Sequence, residues 1–391
     1  MRFIIYNRGI LRECEEIYLK KKMIFVATST VNNKDGYTSR IIMEMSMLHN
    51  DFELYLLKPG LGNSQVEFGN NVNVVEYPVC KNKHIQYIKN YFSFRDVLLN
   101  LIDNNDDTII CGESLLPSIK SCFVLRNKAN KMIFDCHGTQ ADEWIVWNPG
   151  IKGKIISRIL RKLEKWVVYK SDLIITVTNN QYTCWKKKKG NHIVLPMLPS
   201  DYFFDTHNYR DKIRREIGFS DEDIVFVYSG GNQKWQMCKE TIYIFKLIQT
   251  RIKNAKLMIL STKTEYFLEL LKENQIDNAI VKSISYEEMP QYLDACDYGF
   301  CIRENNIINH VASPTKVLEY LSRNVKPILS PYVGEFSTIL PQNNLACVVD
   351  LNNMDSEINI NKSIDFNGAE YIRKLVKKKE EEYIDCISNL I

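Results

Sequence analysis

The sequence predicts an α/β protein of two domains, each a parallel sheet flanked by crossover helices, and three observations carry that expectation. The chain has 391 residues, which is long for one ordinary domain and comfortable for two. With 45% hydrophobic and 25% charged residues it has globular composition and apolar material for two cores. Along most of its length short apolar runs alternate with helical patterns, as strands joined by crossover helices do.

Composition also excludes some classes. A net charge of +4 is too mild to imply nucleic acid as a partner. No apolar run approaches the about 18 residues of a membrane span. The N-terminal segment MRFIIYNRGILRECEEIYLKKK follows a short apolar run with charges, so it does not read as a secretory signal. Eleven scattered cysteines form neither a zinc nor a disulfide pattern, and a reducing cytoplasm is the expected compartment.

Residues 23–28 form the first buried strand. The polar loop 29–36 and the helix 37–48 complete the opening unit of a Rossmann-like half. Gly36 is the one glycine of that loop and the candidate for close approach to a ligand. Strands follow at 52–57, 72–77, 108–111 and 132–136, while residues 1–22 have no assigned place. Just past the strand 132–136 stand Asp135, Cys136, His137 and Gly138, with Asp142 and Glu143 close behind. The C-terminal ends of parallel strands line the ligand crevice, which makes His137 a candidate contact to a reacting group. Asp142 or Glu143 is a candidate base or orienter. The competing reading is a histidine that only shapes its loop.

Residues 151–170 place Ile155, Ile156, Ile159, Leu160, Leu163, Trp166 and Val167 on one helical stripe, with lysines and arginines mostly off it. Such a helix either packs its stripe into the core or lies on an anionic membrane surface. A second basic cluster occupies 186–189, and strands at 172–178 and 192–195 close the first domain. The aperiodic stretch 196–213, with Pro196 and Pro199, reads as the connection.

The second half opens with the strand 224–228, followed by Gly230, Gly231 and Lys234. Two glycines let backbone come close to a phosphate and Lys234 supplies charge. Further elements are the helices 239–252 and 266–274, the strands 256–260 and 280–282, a capped helix entry at 285–290, and the strand 297–302 that delivers Arg303 and Glu304. Ser313 then reads as an N-cap, with Pro314 at the first helical position and Thr315 and Lys316 in the first turn. The free amides of such a helix end bind anions, and Lys316 adds positive charge beside them. Glu319, one turn inside, can accept both hydroxyls of a ribose.

These residues resemble the nucleotide-binding signature of GT-B glycosyltransferases, the large retaining group that includes many bacterial surface-polysaccharide enzymes. A recurrent variant there reads Ser-Pro-x-Lys-x-x-Glu-Tyr-Leu, matched here by Ser313, Pro314, Lys316, Glu319, Tyr320 and Leu321, with the strand 327–329 after it. The commoner pattern carries two glutamates eight positions apart; the second matches Glu319 and the first falls on Val311. Many members also place an arginine and a lysine after the strand matching 224–228, where this chain has Lys234 alone, so Arg303 or Lys316 is expected to take the second charge. The Asp-x-His-Gly strand end with its later acidic pair is similar to a cleft motif of related enzymes. Residues 214–218 resemble the short helix entering the second domain. Ser283 falls where the family's backbone meets the nucleobase, and 369–388 resembles its returning C-terminal helix.

The resemblance implies a GT-B fold. Its parts are an acceptor-side Rossmann-like domain at 1–200, a nucleotide-sugar domain at 201–366 and a crossing helix at 367–391. It implies sugar transfer from a nucleotide-sugar donor to a saccharide or lipid-linked acceptor, with retention, at the inner face of a membrane. His137, Lys316 and Glu319 would be catalytic. Gly230, Gly231, Lys234, Ser283, Arg303, Glu304, Ser313, Pro314 and Thr315 would bind the donor, and Gly36, Gly138, Asp142 and Glu143 would face the acceptor. No Asp-x-Asp pair stands at a strand end, so no metal or other cofactor is expected. The rival readings are a non-catalytic subunit that accompanies another enzyme, a sugar-nucleotide epimerase, and a nicotinamide-dependent dehydrogenase, which the lack of a Gly-x-Gly-x-x-Gly fingerprint disfavours.

Overall fold

In the computed structural model, which describes residues 20–28, 36–60, 71–82, 85–102, 107–185, 190–353, 360 and 366–390, the apolar runs become two wholly parallel sheets. The first contains β1 (Lys21–Val26), β2 (Phe52–Gly60), β3 (Val72–Pro78), β4 (Ile109–Glu113), β5 (Lys131–Cys136), β6 (Leu173–Thr176) and β7 (Asn191–Val194), in the order β3-β2-β1-β4-β5-β6-β7. The second contains β8 (Ile224–Ser229), β9 (Ala255–Leu260), β10 (Ala279–Lys282), β11 (Tyr298–Cys301), β12 (Lys326–Leu329) and β13 (Cys347–Val348), in the order β10-β9-β8-β11-β12-β13. Helices cover both faces of each sheet, which is why Met23, Ile24, Phe25 and Val26 are all buried and the strand reads as an unbroken apolar run. Strand order reverses between β1 and β4 and again between β8 and β11, so each sheet opens a crevice at the C-terminal ends of those strands. Together the sheets and helices are the GT-B architecture.

The helix Gly368–Ser388 ties the two halves together. At its start the Asn367 side chain accepts from the Glu370 amide at 3.1 Å, and the Ala369 amide donates to Asn324 Oδ1 at 2.9 Å. Gly368 is required there, since a Cβ would stand 2.7 Å from the Leu321 carbonyl. At its far end Tyr383 donates to Glu44 Oε2 of the first domain at 2.7 Å. One apolar cluster accordingly runs from Phe25 and Ile41 through Ile372, Tyr383 and Ile387 to Leu318 and Leu321.

Several elements differ from the sequence expectations. The helix entering the second domain spans Arg210–Ile217, beginning four residues before Arg214 and ending where Gly218 takes a left-handed φ of 76°. The helix Ile151–Lys170 buries Gly153, Ser157, Glu164, Val167 and Val168 instead of its isoleucine stripe. Ser157 donates to the Ala141 carbonyl at 2.7 Å, and Glu164 accepts from Trp185 Nε1 at 3.1 Å. Those small and hydrogen-bonding residues set the rotation and turn Ile151, Ile155 and Ile159 outward, at 79%, 50% and 50% exposure. No described helix is long and apolar enough to cross a membrane. The basic cluster 186–189 and most of the unassigned N-terminal segment lie outside the described residues.

Candidate active site

The interdomain cleft is lined by Gly36, Tyr37, Arg40, Ser114, His137 and Glu143 from the first domain, and by Trp235, Arg303, Asn309, Ser313, Pro314 and Thr315 from the second. Thr178 donates to the Val311 carbonyl at 2.8 Å and Asn180 Nδ2 to the His310 carbonyl at 3.0 Å, so the domains touch along one side of it. Val311, the position of the missing glutamate, is buried at that seam. Trp147 and Trp235, one from each domain, meet edge to face at 5.6 Å.

On the second-domain side the helix Thr315–Ser322 buries both Lys316 and Glu319. The expected Ser313 cap is not formed. Pro314 is extended, with ψ 118°, and is itself the cap residue, so helical geometry begins only at Thr315. The Ser313 hydroxyl is buried without a hydrogen-bond partner. The Lys316 ammonium donates to Gln236 Oε1 at 2.9 Å and lies 4.5 Å from the centre of the Tyr228 ring. Arg303 Nη1 donates to the same oxygen at 2.5 Å. Burial, reinforced by the nearby Arg303 charge, lowers Lys316 to about 8.

Gly230 permits this approach. Its φ is 134°, and a Cβ there would stand 3.1 Å from the Lys316 ammonium. The Gly231 carbonyl accepts from the Tyr228 hydroxyl at 2.5 Å. Glu319 Oε1 accepts from the Tyr286 hydroxyl at 2.7 Å, and burial lifts its carboxyl to about 7 even though that hydrogen bond pulls it down.

Other proposed donor residues are placed differently. Lys234 opens a short turn with its side chain in solvent, and Gln236, two residues on, is what meets the cations. The two stand two positions apart in a 3-10 turn of three residues, so they face different sides. The Glu304 carboxylate accepts from Asn306 Nδ2 at 2.8 Å and stabilises its own loop. Ser283 is exposed just after β10, in the loop that carries Tyr286.

On the first-domain side the sheet register pairs Glu113 at the end of β4 with Asp135 in β5, placing two buried carboxylates side by side. Arg40 Nε and Nη2 donate to Asp135 Oδ2 and Oδ1, each at 3.0 Å, and Arg40 also pairs with Glu44 at 2.5 Å. His137, 19% exposed, directs Nε2 toward Asp135 Oδ2 at 2.7 Å and Glu113 Oε2 at 3.0 Å. Burial alone would depress the imidazole; the adjacent carboxylates more than reverse that and lift it to about 10. For Asp135 burial is likewise outweighed, and Arg40 and His137 hold it well below the usual carboxylate range. Glu113, Asp135 and His137 are close enough to share a cation. The set does not fit one, because the Arg40 guanidinium already occupies both Asp135 oxygens and supplies the charge.

The acidic pair divides. Glu143 faces the cleft, with Oε1 so near Gly138 that a Cβ there would stand 2.6 Å away. Asp142 instead pairs with Arg161 at 2.6 Å on the helix Ile151–Lys170. Gly36 lines the cleft at the head of its helix, with nothing among the described residues within 4 Å of its Cβ position. Arg40, Glu113, Gln236 and Tyr286 were not singled out from the sequence. Signals existed for two of them: the Arg40 and Glu44 charges one turn apart on a helix that packs inward, and Glu113, a carboxylate closing an apolar strand at a crevice.

No family model and no curated protein matches the sequence. Solved structures match its fold. Sucrose-phosphate synthase from Thermosynechococcus elongatus aligns with a TM-score of 0.64 at 10% identity, covering 94% of this chain and 95% of the other. Anabaena HepE, solved with UDP and glucose, aligns at 0.64 and 8% identity over 95% and 99%. A Rickettsia africae glycosyltransferase aligns at 0.63 and 13% identity over 95% and 94%. At such identities the likeness is one of fold.

Proposed function

We propose that the protein is a glycosyltransferase that moves a sugar from a nucleotide-sugar donor to a saccharide or lipid-linked acceptor, with retention and without a metal. The observation that carries this reading is the convergence of Arg303 and Lys316 on Gln236, beside the buried Glu319 carboxylate. Two fixed cations suit a diphosphate, and a carboxylate one helical turn away suits a ribose. Anabaena HepE, of the same fold, binds UDP and glucose, which agrees with a nucleotide-sugar donor.

In this mechanism the bond from the anomeric carbon to the diphosphate breaks, and its electron pair leaves with the phosphate oxygen. Lys316 and Arg303 stabilise the charge that develops there, as preorganised cations in a buried cleft do. The acceptor oxygen bonds to the anomeric carbon on the same face, and its proton passes to the departing phosphate oxygen. Domain closure excludes water. Support for a membrane-borne acceptor comes from the outward Ile151, Ile155 and Ile159, which share their helix with Lys152, Lys154, Arg158 and Lys162. A basic helix with exposed apolar residues suits an anionic lipid surface.

The test is to incubate the purified protein with a panel of nucleotide sugars and a chelator, recording nucleoside diphosphate release and the anomeric configuration of any product by NMR. Release from one donor with retention supports the reading. No release from any donor, with or without candidate acceptors, favours the non-catalytic subunit, and dependence on added metal rejects the metal-free mechanism.

A further inference from the structure

A histidine paired with one buried carboxylate at one ring nitrogen keeps the other nitrogen basic, the usual arrangement of a general base. His137 departs from that arrangement because two carboxylates, Asp135 at 2.7 Å and Glu113 at 3.0 Å, converge on the same Nε2. We propose that Glu113 and Asp135 are positioning residues that hold His137 doubly protonated, leaving Nδ1–H as a fixed hydrogen-bond donor to a sugar oxygen in the cleft. The sugar in that statement rests on the nucleotide-sugar reading above; the clamp itself does not.

The geometry makes the clamp rigid. The register of β4 against β5 sets the two carboxylates side by side. Arg40 binds both oxygens of Asp135 and also donates Nη1 to the Leu195 carbonyl at 2.6 Å, so Asp135 is held ionised and cannot take the proton from His137. Tyr37 lies 5.3 Å from the imidazole, ring to ring, and donates its hydroxyl to the Glu113 carbonyl at 3.1 Å, restricting movement of both. Among the described residues Nδ1 makes no hydrogen bond, while His137 lines the cleft.

The charged and titratable groups around the ring come from every neighbouring element. Tyr37, Arg40 and Glu44 stand on the helix Gly36–Leu48, Glu113 on β4 and Asp135 on β5. Glu143 stands on the helix Gln140–Trp147, and Arg303 faces the same cleft from the second domain. Tyr383 of the C-terminal helix closes the far side by donating to Glu44. Asp135 first and Glu113 after it outweigh the ring's burial and place it at about 10, although burial raises the Glu113 carboxyl itself. A ring in that state offers no base to an acceptor hydroxyl at neutral pH. A doubly protonated His137 thus agrees with the proposed route, in which the acceptor proton leaves toward the donor phosphate.

Ring-nitrogen NMR of the full-length protein, labelled with 15N-histidine and titrated over pH about 6 to 11, tests the clamp, with His137→Gln assigning the signal. The expected result is one histidine that keeps imidazolium shifts at pH about 8.5, where an ordinary histidine is neutral, and that titrates at least one unit lower in Glu113→Gln. Titration of His137 near 6.5 in the wild-type protein overturns the proposal, as does an unchanged midpoint in a folded Glu113→Gln. Should that variant not fold, the wild-type titration decides alone. In transfer assays a fixed donor gives a rate that does not rise between pH about 6 and 8, with partial rescue of the His137→Ala loss by His137→Gln. A rate rising with pH along the titration of His137 would identify a base and overturn the proposal. Failure of the nucleotide-sugar reading appears separately, as no transfer from any donor while the NMR result stands.

Discussion

Lys316 and Arg303 donate to one acceptor, the side-chain oxygen of Gln236, at 2.9 and 2.5 Å. Two cations that would otherwise repel are thus held together, both buried, with Arg303 lining the cleft and Lys316 behind it. On the proposed reading this is the fixed positive charge that meets a diphosphate, and the low value of Lys316 makes it sensitive to pH.

Lys316 is lowered to about 8 by burial and by Arg303, and a bound diphosphate would raise it again. Below pH 8 the ammonium is charged before and after binding, so Lys316 adds no pH dependence there. Above it, binding must take up a proton, and affinity for a nucleoside diphosphate should fall by up to about tenfold per pH unit. Calorimetric titrations at several pH values check this, and in Lys316→Met the slope should vanish with the affinity already low.

Gly230→Ala should keep the fold and lose donor binding. An L residue at φ 134° costs about 1–3 kcal/mol, and the new methyl, 3.1 Å from the Lys316 ammonium, makes that ammonium give way beside the Gln236 oxygen. The expectation is a modest drop in melting temperature with diphosphate affinity down at least about tenfold, roughly one charge-assisted hydrogen bond. Undiminished affinity would show that Lys316 does not need this position.

Glu319→Ala should weaken nucleotide binding by about 1.5–3 kcal/mol, or about 10–150-fold, if its carboxylate accepts the ribose hydroxyls. A 2′-deoxynucleotide provides the control. Wild-type protein should discriminate against it, and the variant should not. A folded Glu319→Ala that still discriminates would move ribose recognition elsewhere.

Replacing Arg40 by Met leaves the Asp135 carboxylate buried without this cation, next to a Glu44 carboxyl that burial raises, at a cost of about 3–5 kcal/mol. The sign of its pH dependence follows from Asp135, which Arg40 and His137 hold well below its ordinary value. The native protein gains stability from that group above the ordinary aspartate range and loses it as pH falls. The variant, lacking most of that gain, should come closest to wild type in acid. Denaturant melts at neutral and acidic pH measure the gap.

Ile155→Asp with Ile159→Asp should leave the melting temperature nearly unchanged, because both side chains are exposed. If this face meets an anionic surface, the double variant should lose co-sedimentation with vesicles rich in anionic lipid. Equal sedimentation of variant and wild type would remove the membrane from the account.

The two parallel sheets were legible in the sequence because strands buried on both faces must read as unbroken apolar runs, as at Met23–Val26 and Ile224–Tyr228. Helices such as Leu115–Val124 and Gln86–Ile102 were not, since Pro117 interrupts the first and polar residues dilute the second. Lys316 and Glu319 were legible because a helix start and its first two turns lie within a few residues of one another. Gln236 was passed over for Lys234 because the direction of a turn after two glycines is not written in residue type. Glu113 and Arg40 lie 24 and 97 positions from His137 in sequence, and only strand register and helix packing bring them to it. The stripe on Ile151–Lys170 was read correctly as a helix, but its rotation depends on Ser157 and Glu164, whose partners stand on other elements.

The central claim is a nucleotide-sugar site built by Arg303, Lys316 and Glu319, and calorimetry tests it most directly. Uridine, guanosine and adenosine diphosphates would be titrated in chelator into wild-type protein, Glu319→Ala and Lys316→Ala. The account predicts that at least one nucleotide binds wild-type protein without metal and binds both variants at least about tenfold more weakly. Binding of none, or equal binding to all three proteins, would contradict it.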